Sequence, residues 1–167
     1  MGTTERSLTA LKEHIEDIVI ASNVHKLDPE LVAAIVMTES SGNKYAIRYE
    51  PAFLVRYVEP TMDDSRFASC GHRITEKISR ATSWGLMQVM GLVARENGFK
   101  GKFLSQLCNP KIGLDMGCFH FAKLLRRHDG DNIRGLLAYN GGSDTGYPAR
   151  VDSWRREISE SGLFKKS

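Results

Sequence analysis

The chain has 167 residues, of which 41% are hydrophobic and 26% charged, with a net charge of +3. That length suits a single domain over residues 1–167 with one sizeable core. The composition excludes the disordered, collagen-like and membrane-spanning classes, and the dispersed charge has one dense cluster, Lys123, Arg126, Arg127 and His128, which reads first as a solvated helix face and last as a nucleic-acid surface.

Leu8, Leu11, Ile15, Ile18 and Val19 recur at helical spacing and predict an amphipathic helix over about residues 7–24. Lys12, Glu13, Glu16 and Asp17 interrupt every apolar run in it, so the segment is neither a signal peptide nor a membrane span. Asp28-Pro29 then opens a second helix, since Asp is a good N-cap and Pro needs no hydrogen bond at the first helical position. Leu31, Ile35 and Glu39 fall at i, i+4 and i+8, which puts the carboxyl of Glu39 on the face turned to the core, close to a stop at Gly42. A half-buried glutamic acid at a helix end has its charged form disfavoured while one side stays open to a ligand. A capping or salt-bridged Glu is the alternative.

After Gly42 the period is lost. Residues 43–73 contain Pro51, Pro60 and the aromatics Tyr45, Tyr49, Phe53, Tyr57 and Phe67, which are expected mostly to pack rather than to stack on a ligand. A stretch of that length without a period is expected to border a site. Residues 74–82 predict a short helix, and Trp84-Gly85-Leu86-Met87-Gln88 follows, where Gln88 is an amide among apolar residues and is either tied to backbone or aimed at a ligand. A helix ends near Asn97-Gly98, and Asn109-Pro110 opens a longer one whose stripe is Leu114, Cys118, Phe121 and Leu125. Asp131 caps a helix that ends at Ala138-Tyr139-Asn140-Gly141-Gly142. Tyr147, Val151, Trp154 and Ile158 define the last helix. Strands are expected only as short pieces within 43–73, so the fold class is mainly α. Cys70, Cys108 and Cys118 form no disulfide scaffold, and neither Cys70-Gly71-His72 nor Cys118-Phe119-His120 has the spacing of a structural zinc site, so no metal and no cofactor are expected.

Three segments pair polar groups with glycine or a helix end: Glu39-Ser40, Gly85-Leu86-Met87-Gln88 and Ala138-Tyr139-Asn140-Gly141. In this order, with the Asn109–Leu124 helix and Tyr147-Pro148-Ala149-Arg150-Val151, the chain resembles the soluble lytic transglycosylases and goose-type lysozymes from about Leu27 to Trp154. Arg48-Tyr49-Glu50-Pro51 resembles a subgroup found among phages and mobile elements. The resemblance implies a compact lysozyme-like domain, with the 43–73 segment beside its groove, that cuts the β-1,4 bond between N-acetylmuramic acid and N-acetylglucosamine in peptidoglycan. Glu39 would be the single catalytic acid and base, and the product would be a 1,6-anhydro-muramoyl end.

Ser40, Met87, Gln88, Tyr139 and Asn140 would bind substrate, Ser40 chiefly by tying the helix end to nearby backbone. Capping before the double glycine is the alternative for Tyr139 and Asn140. Two departures stand out. Arg48 occupies the ninth position after Glu39, where the family often has a helper serine. The interval to Gln88 is also long and contains Glu50, Glu59, Asp63, Asp64 and Glu76. Glu50 is the first candidate for a second carboxylate, which would make the enzyme a hydrolytic muramidase, and an ion pair with Arg48 or Arg56 is its alternative. A wall-binding domain without activity is a further reading. The expected partner is the peptidoglycan glycan strand, with no nucleic acid, no stable membrane insertion and a monomeric protein. Synthesis in the cytoplasm and action at the cell wall then require phage-type release, or a leader missing from this sequence.

Overall fold

The computed structural model describes residues 3–61 and 72–165. Its centre is α3 (Pro29–Ser40), in which Leu31 through Met37 are all buried. The stretch LVAAIVM contains no polar side chain, so this helix is apolar all round and can only sit with protein on every side. That goes beyond the single core-facing stripe expected of it. Asp28 accepts the N–H of Glu30 at 3.0 Å and Pro29 takes the first helical position, as the capping residues require.

Other helices wrap this centre. The last helix, α9 (Tyr147–Ser161), lies along α3 and buries Tyr147, Val151 and Ile158. The expected first helix is instead two, α1 (Thr3–Lys12) and α2 (Ile15–His25), broken at His14. His14 is itself buried and its ring bonds to the backbone of Gly42, so the chain bends to bring the imidazole onto the turn after α3. Gly42 has φ +77°, and a Cβ there would stand 3.0 Å from that of Ala10, which is why α1 can approach so closely. The longest helix, α7 (Pro110–Arg127), runs from its Asn109 cap and packs on α2 and on α8 (Asn132–Tyr139) through Leu114, Cys118 and Phe121.

The described residues 43–61 of the 43–73 segment are more ordered than a loop. They hold β1 (Ile47–Tyr49), then one turn of α4 (Pro51–Phe53) that widens into a π turn over Leu54–Val58 and closes with a 3-10 turn over Glu59–Thr61. The π turn buries Val58 with Ala81 and Leu92, and Phe53 and Leu54 pack on them. Tyr45, Tyr49 and Tyr57 are exposed, which corrects the expectation that most of these aromatics pack, and Phe67 lies outside the described residues. After α5 (Arg73–Arg80) come β2 (Thr82–Trp84) and β3 (Val89–Met90), which join β1 in an antiparallel sheet of order β1-β2-β3, with Ile47 opposite Trp84 and Ser83 opposite Met90. β1 is one of the short strand pieces expected within 43–73, whereas β2 and β3 lie outside that range and are too short to show an alternating period. A six-residue α6 (Gly91–Glu96) and a 3-10 turn over Leu104–Cys108 complete the chain up to α7. Among the described residues no helix is long and apolar enough to cross a membrane.

Candidate active site

Glu39 is the penultimate residue of α3, where the buried helix meets the turn at Ser41 and Gly42. Its Oε1 accepts a 2.6 Å hydrogen bond from the hydroxyl of Tyr147, the first residue of α9 and 108 positions away. Among the described residues no donor reaches Oε2. Burial raises the carboxyl's pKa, and the hydrogen bond from Tyr147 and the charges of Arg48 and Arg150 oppose this without cancelling it. The carbonyl dipoles at a helix C-terminus also disfavour a negative charge. Such a carboxyl can hold a proton towards neutral pH and surrender it during a reaction. Burial and the Glu39 charge push the Tyr147 hydroxyl far above the usual range, so it remains a neutral donor.

Opposite the end of α3 lies the β2–β3 turn, Gly85 to Gln88, and three of its successive carbonyls are held by side chains. Gln88 donates from Nε2 to Gly85 O and to Ala46 O, both at 2.9 Å. Ser40 shares its hydroxyl between Leu86 O at 2.8 Å and Val36 O at 3.1 Å. Tyr139 donates to Met87 O at 2.8 Å. Gly85, at φ +70°, could carry no side chain here, since a Cβ would lie 2.5 Å from Leu107 O. Gln88 itself sits at φ +46°, an uncommon conformation for a residue with a side chain, and its two backbone bonds hold it there. Its Oε1 has no donor among the described residues and is the one end of the amide left for a ligand.

A half-buried carboxyl, a tyrosine on one of its oxygens and a pinned glycine turn facing the helix end form one compact constellation. A family model, the transglycosylase SLT domain, matches residues 18–160 and spans every residue of it. The chain belongs to the transglycosylase SLT family. No curated protein and no solved structure gives a match. SLT domains are enzymes of the lytic transglycosylase type that act on peptidoglycan.

Within this SLT domain the remaining sequence candidates are placed unevenly. The Met87 side chain is fully buried and packs on α7, where a Cβ on Gly117 would come within 2.5 Å of its sulfur, so the expected contact of this side chain with a sugar face gives way to a core position. Asn140 spends both ends of its amide inside its own loop, Nδ2 on Asp144 O at 3.0 Å and Oδ1 on the N–H of Gly142 at 3.0 Å, which is the capping alternative. Tyr139 is close enough for the Glu39 charge to raise its pKa, after burial, but its hydrogen goes to Met87 rather than to the carboxyl. Glu50 is paired with Arg48 at 2.6 Å. Glu76 is buried between Arg80 at 3.0 Å and Arg95 at 2.8 Å, where it joins α5 to α6, and it is not available as a second carboxylate. Glu59 lies exposed on its 3-10 turn, and Asp63, Asp64 and Cys70 lie outside the described residues.

Cys118 is a core residue whose thiol burial pushes up to about 12, and His120, pushed down to about 4 by burial first, bonds through Nδ1 to the Asn97 amide. Among the described residues no group of three His, Cys, Asp or Glu could hold a metal ion. A cavity of about 410 Å³ lies between α3, α8 and α9, but its wall on α3 is Leu31, about two turns from Glu39, so it is separate from the carboxyl. Sequence reading missed Tyr147 as the partner of Glu39 and took it as core. The Tyr-x-x-x-Val element was the available signal, since a tyrosine at the first turn of a buried helix brings its hydroxyl into the interior, where it needs an acceptor.

Proposed function

We propose that this SLT domain is a lytic transglycosylase that cuts the β-1,4 bond between N-acetylmuramic acid and N-acetylglucosamine, with Glu39 as acid and then base. The observation that carries the reading is the half-buried Glu39 carboxyl, its pKa raised and one oxygen held by Tyr147. With Oε1 engaged, the proton sits on Oε2 and passes to the glycosidic oxygen as the bond to C1 breaks. The 2-acetamido carbonyl of the muramoyl sugar stabilises the positive charge that develops there. Glu39, now a carboxylate, takes the proton of the same sugar's C6 hydroxyl as that oxygen attacks C1, and the 1,6-anhydro ring closes. Glu39 ends protonated as it began, having given its own proton to the departing sugar and taken that of the C6 hydroxyl, and no water is consumed.

Substrate assistance removes the need for a second protein carboxylate. The pairing of Glu50 with Arg48 and the burial of Glu76 suit that economy. Gln88 Oε1 would accept from an N–H or hydroxyl of a bound sugar, and Ser40 and Tyr139 hold the turn that carries it. Digestion of purified cell walls, followed by mass analysis of the muropeptides, tests the proposal. Anhydro-muramoyl ends, lighter by one water than reducing ends, are expected, and Glu39→Gln is expected to release neither. Reducing ends alone would establish the hydrolytic muramidase, and full activity of Glu39→Gln would remove Glu39 from the chemistry.

A further inference from the structure

Two arginines stand near Glu39 for which neither its acid chemistry nor the fold has a use. Arg48 lies on β1, two residues beyond Ala46, whose carbonyl holds Gln88. Arg150 lies on the first turn of α9, with its guanidinium over the Tyr147 ring at 5.8 Å from the centroid, and that ring's hydroxyl holds Glu39. The charges of both reach Glu39 and favour its ionised form, which works against an acid that must begin protonated. Neither pairing explains the placement. Arg48 gives its Nε to Glu50, and Arg150 gives one terminal nitrogen to Asp144, whose other oxygen is fixed by the N–H of Gly146 at 2.9 Å. Both arginines are exposed, so each pair contributes little to stability. A guanidinium carries five N–H donors in a planar fork, and each of these two has engaged only one of its nitrogens.

We infer that Arg48 and Arg150 form a carboxylate-receiving subsite beside Glu39, and that it takes the free carboxylates of the peptide stem borne by the muramoyl sugar. This rests on peptidoglycan being cut at Glu39. The glycan strand is uncharged wherever the lactyl arm is amide-linked to a stem, so the stem supplies the substrate's anions. The arm hangs from the same sugar whose C1 bond breaks, which brings the first stem residues to the mouth of the site. Forked N–H donors match carboxylate geometry. Glu50 and Asp144 hold the two forks in place without filling them. An anion seated there also offsets the two positive charges, so binding of a charged stem helps Glu39 keep its proton, and an amidated stem does not.

The test compares two preparations of one batch of purified sacculi, one untreated and one with its stem carboxylates converted to primary amides by carbodiimide and ammonia. The expected ratio of kcat/KM, untreated over amidated, is roughly fivefold to tenfold. The ratio cancels any change in Glu39 acidity common to both substrates. In R48Q/R150Q it is expected to fall close to one, and in R48K/R150K to recover only in part, because lysine restores the charge without the fork. R134Q/R156Q removes the same charge elsewhere and is expected to keep the parent's ratio. Equal rates for the parent on both preparations, a ratio unchanged in R48Q/R150Q, or the same loss in R134Q/R156Q would each overturn the subsite. Cosedimentation of E39Q with the two preparations separates the two proposals. If the parent releases no muropeptide, the transglycosylase reading fails. Tighter binding of E39Q to untreated sacculi, abolished by adding R48Q/R150Q, would still uphold the subsite, and equal binding would overturn it.

Discussion

Replacing Tyr147 with Phe removes one oxygen and tests the link between α9 and the acid. The Tyr147 hydroxyl donates to Glu39 Oε1 at 2.6 Å in a site where the tyrosine is only 3% exposed, so water cannot readily take its place. A hydrogen bond to an ionised group contributes about 1.5–3 kcal/mol. The carboxylate loses more of this than the acid does, because its oxygens are the stronger acceptors. The Glu39 pKa, already raised by burial, therefore rises further in the variant. In the proposed mechanism the active enzyme carries protonated Glu39, so activity falls as pH climbs through that pKa. The sign is fixed: in Tyr147→Phe the alkaline limb of the profile moves to higher pH.

The rate at the optimum falls as well, because proton transfer to the glycosidic oxygen creates the carboxylate that Tyr147 stabilises. If half of the lost interaction is felt in the transition state, kcat drops roughly threefold to tenfold. KM changes little, since the hydroxyl is on Glu39 and not on the sugar. The assay is muropeptide release from purified walls across pH, with kcat and KM extracted at each point. A limb that stays in place while kcat falls, or that moves to lower pH, would refute the assignment of Tyr147 as the group that holds the acid.

Other changes have equally definite outcomes. In Glu39→Gln a carboxyl whose folded pKa is raised is replaced, and its cost to the fold is present only above the ordinary carboxyl value of 4.5, so thermal unfolding should show about 0.5–2 kcal/mol of added stability at pH 7 and none at pH 4. Glu76 has the opposite sign: burial pushes its pKa up, but hydrogen bonds and charges from Arg95 and Arg80 together hold it below 4.5. Glu76→Gln should thus cost about 3–5 kcal/mol at pH 7, measured by urea unfolding, and the deficit should shrink as pH falls below 4.5 and the parent loses its own pair. Gly117→Ala puts a methyl group 2.5 Å from the Met87 sulfur and 2.9 Å from its Cβ, so it should cost about 1–3 kcal/mol and lower activity by shifting the Gly85–Gln88 turn.

Features set by neighbouring residues were legible in the chain. Asp28-Pro29, Asn109-Pro110 and Asp131 each start a helix where their capping chemistry demands, and each cap bond is present. In the stripes Leu114, Cys118, Phe121, Leu125 and Tyr147, Val151, Trp154, Ile158, all but Leu125 and Trp154 are buried as their spacing requires, and those two pack half-buried against the core. What stayed hidden is set by partners far apart in the chain. The α1–α2 break depends on His14 meeting the backbone of Gly42, and Glu76 reads as a free carboxylate until Arg95, 19 positions on, closes over it. Tyr147 could be placed in the core but not on Glu39, because no local pattern records a contact across 108 residues.

The polar residues that stand out in the three motifs act mainly on backbone carbonyls around the site. Gln88, Ser40 and Tyr139 take the carbonyls of Gly85, Leu86 and Met87 in turn, and they come respectively from the turn itself, from α3 and from α8. Two helices remote in sequence, α3 and α8, are thereby fastened to one four-residue turn beside the end of the buried helix. Rigid placement of this kind serves the proposed reaction, in which one carboxyl must give a proton to the oxygen that leaves with one sugar and then take one from the C6 hydroxyl of the other, since small displacements cost rate steeply. It also accounts for the sparse chemistry of the site. When the substrate's own acetamido group stabilises the charge, the protein has to supply one well-held acid and a stable wall, and the motif residues are spent on holding both.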